Sequence, residues 1–461
     1  MIKKDAIIIG SGQAGNPLAL KLSAAGLKTV LIEKSEEMLG GVCVNVGCTP
    51  SKTLIASAKA MHKIKTAHKH GISVPDVSID FEITQKRKND IVAKSKKGVK
   101  KNLEEAENLD LIYGTASFSG EKTISVQNES EEAIEFTAPY IFINVGCRPA
   151  TPEIDGLKDV KWYDSTGILE LQEIPKKLIV IGSGYIGLEL GQMYSRFGSE
   201  VIIVEKAGQI ISNEDADIAE NLQEILEEEG LTFHLNSEIK NVKQDDNKIT
   251  LTFTKNNKQE QIEGTHLLIV TGRKSNADSL HLEKAGIKQD DKGYIKVNQK
   301  LETNVDGVYA LGDIKGGPQF THISYNDYVI VSDNILEQKN TSTEGRIIPY
   351  TVFTDPQVGR VGLSEKEATE KNLNFTVIKI PGKRITRGLE SAETQGLWKA
   401  VVDNDSDKIL GAAIIGSEGG EMTSIIQMAM KGNISAKDLQ TFIFSHPTYS
   451  ESLNTLFDEL E

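Results

Sequence analysis

The chain is poor in cysteine: its 461 residues hold three, Cys43, Cys48 and Cys147. A small scaffold held together by disulfides is thereby excluded. Long apolar runs are also missing, and none approaches the ~18 residues that a membrane span needs. The opening Met1-Ile2-Lys3-Lys4-Asp5-Ala6 has neither the apolar core nor the cleavage site of a signal peptide, so a cytoplasmic protein without a membrane partner is expected. Positive charge is in deficit, with 52 Lys and Arg against 66 Asp and Glu, a net charge of −14. Such a surface repels phosphate backbones, and no nucleic-acid partner is expected. What is present, 39% hydrophobic and 26% charged residues, is the composition of a folded globular protein. The length suggests about three domains.

Comparing the chain with itself reveals a repeat. Asp5-Ala-Ile-Ile-Ile-Gly-Ser-Gly-Gln-Ala-Gly15 and Leu178-Ile-Val-Ile-Gly-Ser-Gly-Tyr-Ile-Gly187 each run from an apolar strand through G-x-G-x-x-G into a helical pattern. Each is followed by a strand ending in an acid, Glu33 or Glu205, and the distances Gly10 to Glu33 and Gly182 to Glu205 are both 23 residues. Further apolar strands end at Gly146 and Gly272, and another, Val308-Tyr-Ala-Leu-Gly312-Asp313, ends in Gly-Asp. The pattern predicts an α/β protein with two Rossmann-like dinucleotide-binding domains, the second inserted in the first, and a C-terminal α+β domain from about residue 346.

The spacing carries a mechanism. Gly10 and Gly182 allow the tight turn, Gly12 and Gly184 let a pyrophosphate approach the backbone, and Gly15 and Gly187 let helix and strand pack closely. The helix N-terminus then meets the phosphates with N–H groups and a positive dipole. Glu33 and Glu205 are placed to accept ribose hydroxyls. A carboxylate at Glu205 repels a 2′-phosphate, which favours NAD(H) over NADP(H).

Cys43-Val-Asn-Val-Gly-Cys48-Thr-Pro-Ser-Lys52 leads into a helix expected over Thr53–Met61. Gly40, Gly41 and Gly47 would let a flat cofactor come close. A thiol at a helix N-terminus has a lowered pKa, and Lys52 adds positive charge. The two cysteines have no further metal ligands at any usual spacing, so no metal site is expected. His62, His68 and His70 read as surface histidines, the basic run over 63–101 as a solvated helix face, and Cys147 as a small packing residue.

The run Gly40–Lys52 resembles the active-site disulfide of the class I flavoprotein disulfide reductases, the family of lipoamide dehydrogenase, glutathione reductase and mercuric reductase. Gly182–Glu189 is similar to its pyridine-nucleotide fingerprint, Val308–Asp313 to its second FAD motif, and His446-Pro-Thr-Tyr-Ser-Glu451 to its C-terminal His–Glu motif. The resemblance covers essentially the whole chain. It implies FAD in residues 1–150 and 276–345, NAD(H) in 151–275, and dimerisation through 346–461. It places Asp313 on the ribityl chain and Glu33 on the ribose. It pairs Lys52 with Glu189 beside the flavin and sets Tyr185 over the nicotinamide pocket, with Gly272 and Gly312 closing the two nucleotide sites. It makes Cys48 the thiol nearer the flavin, Cys43 the interchange thiol, and His446 with Glu451 the acid–base pair, reaching the disulfide of the other subunit of a homodimer with shared active sites.

Departures narrow the acceptor. There is no cysteine after Cys147 to match the C-terminal pair of mercuric reductase, and His446 is present where that enzyme lacks it. Phe320-Thr-His-Ile-Ser-Tyr-Asn-Asp-Tyr328 stands where lipoamide dehydrogenase has Leu-Ala-His-Lys-Ala. Glu205 does not suit the 2′-phosphate of the glutathione reductase cofactor. The chain is most similar to the mercuric-reductase-like branch that includes the reactive-chlorine-resistance copper(II) reductase. The expectation is an NADH-dependent FAD enzyme that passes electrons through Cys43/Cys48 to a disulfide or a thiol-reactive metal ion. Dihydrolipoamide dehydrogenase, mercuric reductase and a flavin-bound redox sensor with little turnover are the alternatives.

Overall fold

The computed structural model describes residues 1–128 and 132–460, which fall into two compact units. The first comprises residues 1–53, 85–150 and 272–346. Its centre is a five-stranded parallel sheet in the order Val308–Ala310, Tyr140–Ile143, Ala6–Ile9, Thr29–Glu33, Leu109–Tyr113. Ala6–Ile9 and Thr29–Glu33 are buried at every position, as strands covered on both faces must be. The Gly15–Ala24 helix makes the crossover between them. Leu18 and Leu22 of that helix share a core with Ile330 and Val331 of the Thr321–Leu336 helix. A smaller sheet of Thr115–Gly120, Thr123–Gln127 and Ile134–Thr137 takes in Ile2–Lys3 at its edge.

The second unit comprises residues 54–84, 151–271 and 347–461. It repeats the nucleotide-binding plan with a parallel sheet in the order Thr232–His234, Glu200–Val204, Lys177–Ile181, His266–Ile269. A three-stranded antiparallel sheet over 237–264 follows. The C-terminal part is a five-stranded antiparallel sheet, Pro349–Val352, Gln357–Gly362, Ile409–Gly416, Leu397–Asp403, Phe375–Pro381. The Gly419–Lys431 helix packs on it around Ile414, Met422 and Ile426.

This is the expected α/β architecture with a C-terminal α+β part. The helix after the cysteine motif differs from the expectation: it runs Cys48–Lys65, not Thr53–Met61. Pro50 lies in its first turn, where backbone N–H groups have no intrahelical partner, so proline costs no bond there. The basic run lies largely on the Phe81–Glu104 helix and is mostly solvated, but Lys88 is buried. Among the described residues no helix is long and apolar enough to cross a membrane.

Candidate active site

The two fingerprints fold alike. A Cβ on Gly15 would fall 2.0 Å from the Gly10 carbonyl oxygen, and one on Gly187 would fall 2.1 Å from that of Gly182, so the third glycine of each copy packs helix against turn. Glu33 Oε2 accepts from Ser11 N–H at 2.8 Å and from its hydroxyl at 2.6 Å, and Oε1 accepts from Lys34 N–H at 2.7 Å. Glu205 repeats the arrangement with Ser183 N–H at 2.8 Å, the Ser183 hydroxyl at 2.9 Å and Ala207 N–H at 2.9 Å. Each acid is therefore fixed beside its turn. The serine between the glycines does this in both copies and was not singled out in the sequence, although it repeats.

These features fit two dinucleotides. The Gly15–Ala24 and Tyr185–Phe197 helices have no side-chain cap from the residue before them, and the positive end of each helix dipole suits phosphate oxygens. A Cβ on Gly184 would meet nothing within 4 Å, so the space above that glycine is open.

Asn144, also unassigned in the sequence, stitches the first site together. Its Oδ1 accepts from Gly15 N–H at 2.9 Å and its Nδ2 donates to the Leu311 carbonyl at 2.8 Å. Gly312 N–H donates to the buried Asp327 at 2.8 Å. Asp313 accepts from Arg273 at 2.5 Å, and Arg273 follows Gly272, whose carbonyl accepts from Ala150 N–H at 3.0 Å. Cys147 is buried, its thiol donates to the Asp313 carbonyl at 3.3 Å, and burial pushes its pKa up to about 11. It packs, as expected.

The cysteine motif crosses the first fingerprint. Gly40 N–H donates to the Ser11 hydroxyl at 2.9 Å. Gly41 has φ +73°, and a Cβ there would lie 2.7 Å from Gly12 Cα. Its smallness thus serves a backbone-to-backbone approach as well as any cofactor. Cys43 lies in the short Gly41–Asn45 helix and Cys48 opens the Cys48–Lys65 helix. Both are free thiols within hydrogen-bonding reach of each other. The hydrogen bond with Cys48, then burial, then repulsion between the two sulfurs drive the Cys43 pKa upward; the Thr321 hydroxyl and Lys52 pull it down. So the lowered pKa expected of a thiol at a helix start is not found at Cys43. Cys48 Sγ lies 3.3 Å from Thr321 Oγ1, a neighbour that the sequence did not announce.

In the second unit Tyr185 begins the helix behind the second fingerprint. The Glu189 carboxylate is buried and accepts from Phe353 N–H at 2.8 Å. Lys52 and Glu189 belong to different compact units. His446 Nδ1 lies 2.8 Å from Glu451 Oε2, with the imidazole largely exposed and the carboxylate mostly covered. Tyr449 anchors the turn between them: its hydroxyl donates to Glu393 at 2.9 Å, and Ser417 donates to the same oxygen at 2.6 Å. Of the three histidines read as surface, His68 and His70 are exposed. His62 is half-buried, 4.0 Å from Glu229, and burial lowers its pKa.

The fold and this site define a flavoprotein with two nucleotide sites and a dithiol. The model of the pyridine nucleotide-disulphide oxidoreductases matches residues 4–327, and that of their dimerisation domain matches 348–457. The chain belongs to this family: it is an oxidoreductase whose cofactors are FAD and NAD(H), and it carries the family's dimerisation domain. It is 38% identical over 459 residues to the probable pyridine nucleotide-disulfide oxidoreductase RclA of Escherichia coli K12, covering 99% of both chains. It is 33% identical to the mercuric reductase of Staphylococcus aureus (97% of this chain, 81% of the relative) and to the dihydrolipoyl dehydrogenase of Geobacillus stearothermophilus (98% and 94%). The structure of a Cu(II) complex of HOCl-induced flavoprotein disulfide reductase RclA from E. coli superposes with a TM-score of 0.92 at 37% identity, covering 100% of both chains.

Proposed function

We propose that Cys43 and Cys48 are the redox pair through which two electrons from NADH reach a disulfide or a thiol-reactive metal ion. The observation that carries this is the pair itself: two thiols within hydrogen-bonding reach, on a segment whose Gly41 lies against Gly12 of the FAD fingerprint. Bound FAD supplies two-electron transfer between nicotinamide and sulfur. For a disulfide acceptor the balance is NADH + H⁺ + RSSR → NAD⁺ + 2 RSH. Cys43 is the outer thiol. Its thiolate attacks the acceptor sulfur and expels one thiol, and Cys48 then attacks Cys43 to expel the second and restore the disulfide.

An elevated Cys43 pKa calls for a base, and imidazole suits that task near neutral pH. His446, oriented by Glu451, fills it from the partner subunit of a homodimer with shared active sites. Lys52 and Glu189 serve the flavin, Tyr185 covers the nicotinamide, and Asp313, Gly312, Gly272 and the two fingerprints hold the nucleotides. In this division residues 1–150 and 276–345 hold FAD, 151–275 NAD(H), and 346–461 the dimer contact.

The higher identity to RclA than to mercuric reductase or dihydrolipoyl dehydrogenase supports an acceptor other than mercury or lipoamide. A Cu(II) complex of the E. coli relative and the affinity of thiolates for soft metal ions make Cu(II) the first acceptor to try, two ions taking one electron each. The test is multiple-turnover NADH oxidation with Cu(II), Hg(II), cystine and lipoamide. Turnover with Cu(II) or cystine, lost in Cys43→Ser and Cys48→Ser, is expected; a single turnover with all four would make the protein a redox sensor.

A further inference from the structure

Two helices begin at one sulfur. Cys48 is the first residue of the Cys48–Lys65 helix and Thr321 the first of the Thr321–Leu336 helix. The Thr321 hydroxyl oxygen lies 3.3 Å from Cys48 Sγ, and Phe320, the residue before it, gives that helix no side-chain cap. Either atom can donate while Cys48 is a thiol. Once Cys48 loses its proton, sulfur can only accept, and the bond must run from Thr321 O–H to S⁻. The partial positive ends of both helices act on the same atom.

When the reduced pair has lost one proton, two sulfurs compete for one negative charge. Which sulfur carries it is decided by the donors around each. Cys43 faces Cys48, with Lys52 and Thr321 as the other groups acting on its charge. Lys52 lies one turn along the Cys48–Lys65 helix. The Thr321 hydroxyl, a neutral donor that acts on both sulfurs, is seated 3.3 Å from that of Cys48.

We infer that Thr321 is a catalytic residue of the redox pair: its hydroxyl donates to the Cys48 sulfur and holds the negative charge of the reduced pair on that atom. The inference rests on the reading of Cys43 and Cys48 as the redox pair. Its consequence is a division of labour. The charge held on Cys48 leaves Cys43 with the proton that His446 must remove, so the outer thiol acts only when its base is in place.

The test compares Thr321→Val, which keeps the shape and removes the donor, with Thr321→Ser, which keeps the donor. In the two-electron-reduced holoenzyme, the long-wavelength thiolate absorbance is followed against pH. In parallel, the alkylation of each cysteine by iodoacetamide is followed by mass spectrometry. Thr321→Val should raise the midpoint of the absorbance titration by about 1 unit, a tenfold loss of thiolate, and shift alkylation toward Cys43. Thr321→Ser should restore the parent midpoint. Thr321→Ala should follow Val, and replaces it if Val does not retain flavin. A parent-like midpoint in Val and Ala, or an equal shift in Val and Ser, would overturn the role of the hydroxyl. A Cys48→Ser enzyme that keeps the absorbance would instead sink the redox-pair reading underneath it.

Discussion

Cys43 and Cys48 share a hydrogen bond, and that sharing decides when each can react. The shift at Cys43 is upward, so its sulfur stays protonated at pH values where an ordinary cysteine has ionised. Alkylation of Cys43 in the reduced enzyme should therefore be slow at pH 8 and rise only at higher pH. Cys48→Ala removes both the hydrogen bond and the repelling charge, and should move that rise to lower pH by about 1 unit or more. An unchanged profile in Cys48→Ala would show that the two sulfurs do not communicate. At this scale much of the site was legible. Gly10, Gly15, Gly182 and Gly187 stand where the fingerprint puts them, because a tight turn with a helix against it tolerates no Cβ. Ser11, Ser183, Asn144 and Thr321 were not, although each touches a predicted site residue. Their work is to hydrogen-bond groups more than 20 positions away in the chain, and no local spacing encodes that.

Among elements, the turn that carries His446 shows how a loop is held. His446 is largely exposed, so packing does not fix it. The turn is tied through Tyr449, whose hydroxyl meets Glu393 and Ser391, each at 2.9 Å. Glu393 in turn takes Ser417, and Lys63 stands 3.7 Å away. The hydrogen bonds from Ser417 and Tyr449 and the charge of Lys63 lower the Glu393 pKa against the effect of burial, so Glu393 is an anion at working pH. Tyr449→Phe removes the hydrogen bonds with both Glu393 and Ser391, at a net cost of about 1 kcal/mol. It should slow acceptor reduction about 5-fold, with the rate of flavin reduction by NADH unchanged; equal slowing in stopped-flow of both half-reactions would count against a positioning role. The His446–Glu451 spacing was readable as a motif, but its anchor was not, since Glu393 lies 56 residues before Tyr449. The start of the cysteine helix was misplaced for a local reason: Pro50 reads as a break, yet sits in the one turn that accommodates it.

For the molecule as a whole, the second unit joins the start of its Ala216–Glu228 helix to its C-terminal sheet through a buried lysine. Lys399, 1% exposed, lies 3.0 Å from Asp215, 3.0 Å from Asp217 and 2.6 Å from Glu365. Burial works against its charge, but these bonds outweigh it and raise its pKa, while Asp215 and Asp217 are held below the ordinary 3.8 of an aspartate. Carboxylates with lowered pKa stabilise the fold above pH ~4, and that stability is lost as the pH falls through their folded values. Lys399→Met leaves buried carboxylates short of a partner and should cost about 3–5 kcal/mol at pH 7, read as a lower denaturant midpoint, with a flatter loss of stability on acidification. The proposed dimer makes a separate demand. If His446 of one subunit serves the thiols of the other, a Cys48→Ser subunit keeps a working His446, and a His446→Ala subunit keeps working thiols. Neither homodimer turns over a disulfide well. Co-expressed in equal amounts, about half of the dimers are mixed, each with one complete site, so about a quarter of the parent activity should return. If instead each site is built within one subunit, every site in the mixture lacks either the thiol or the base, and the mixed preparation stays at the mean of the two inactive parents.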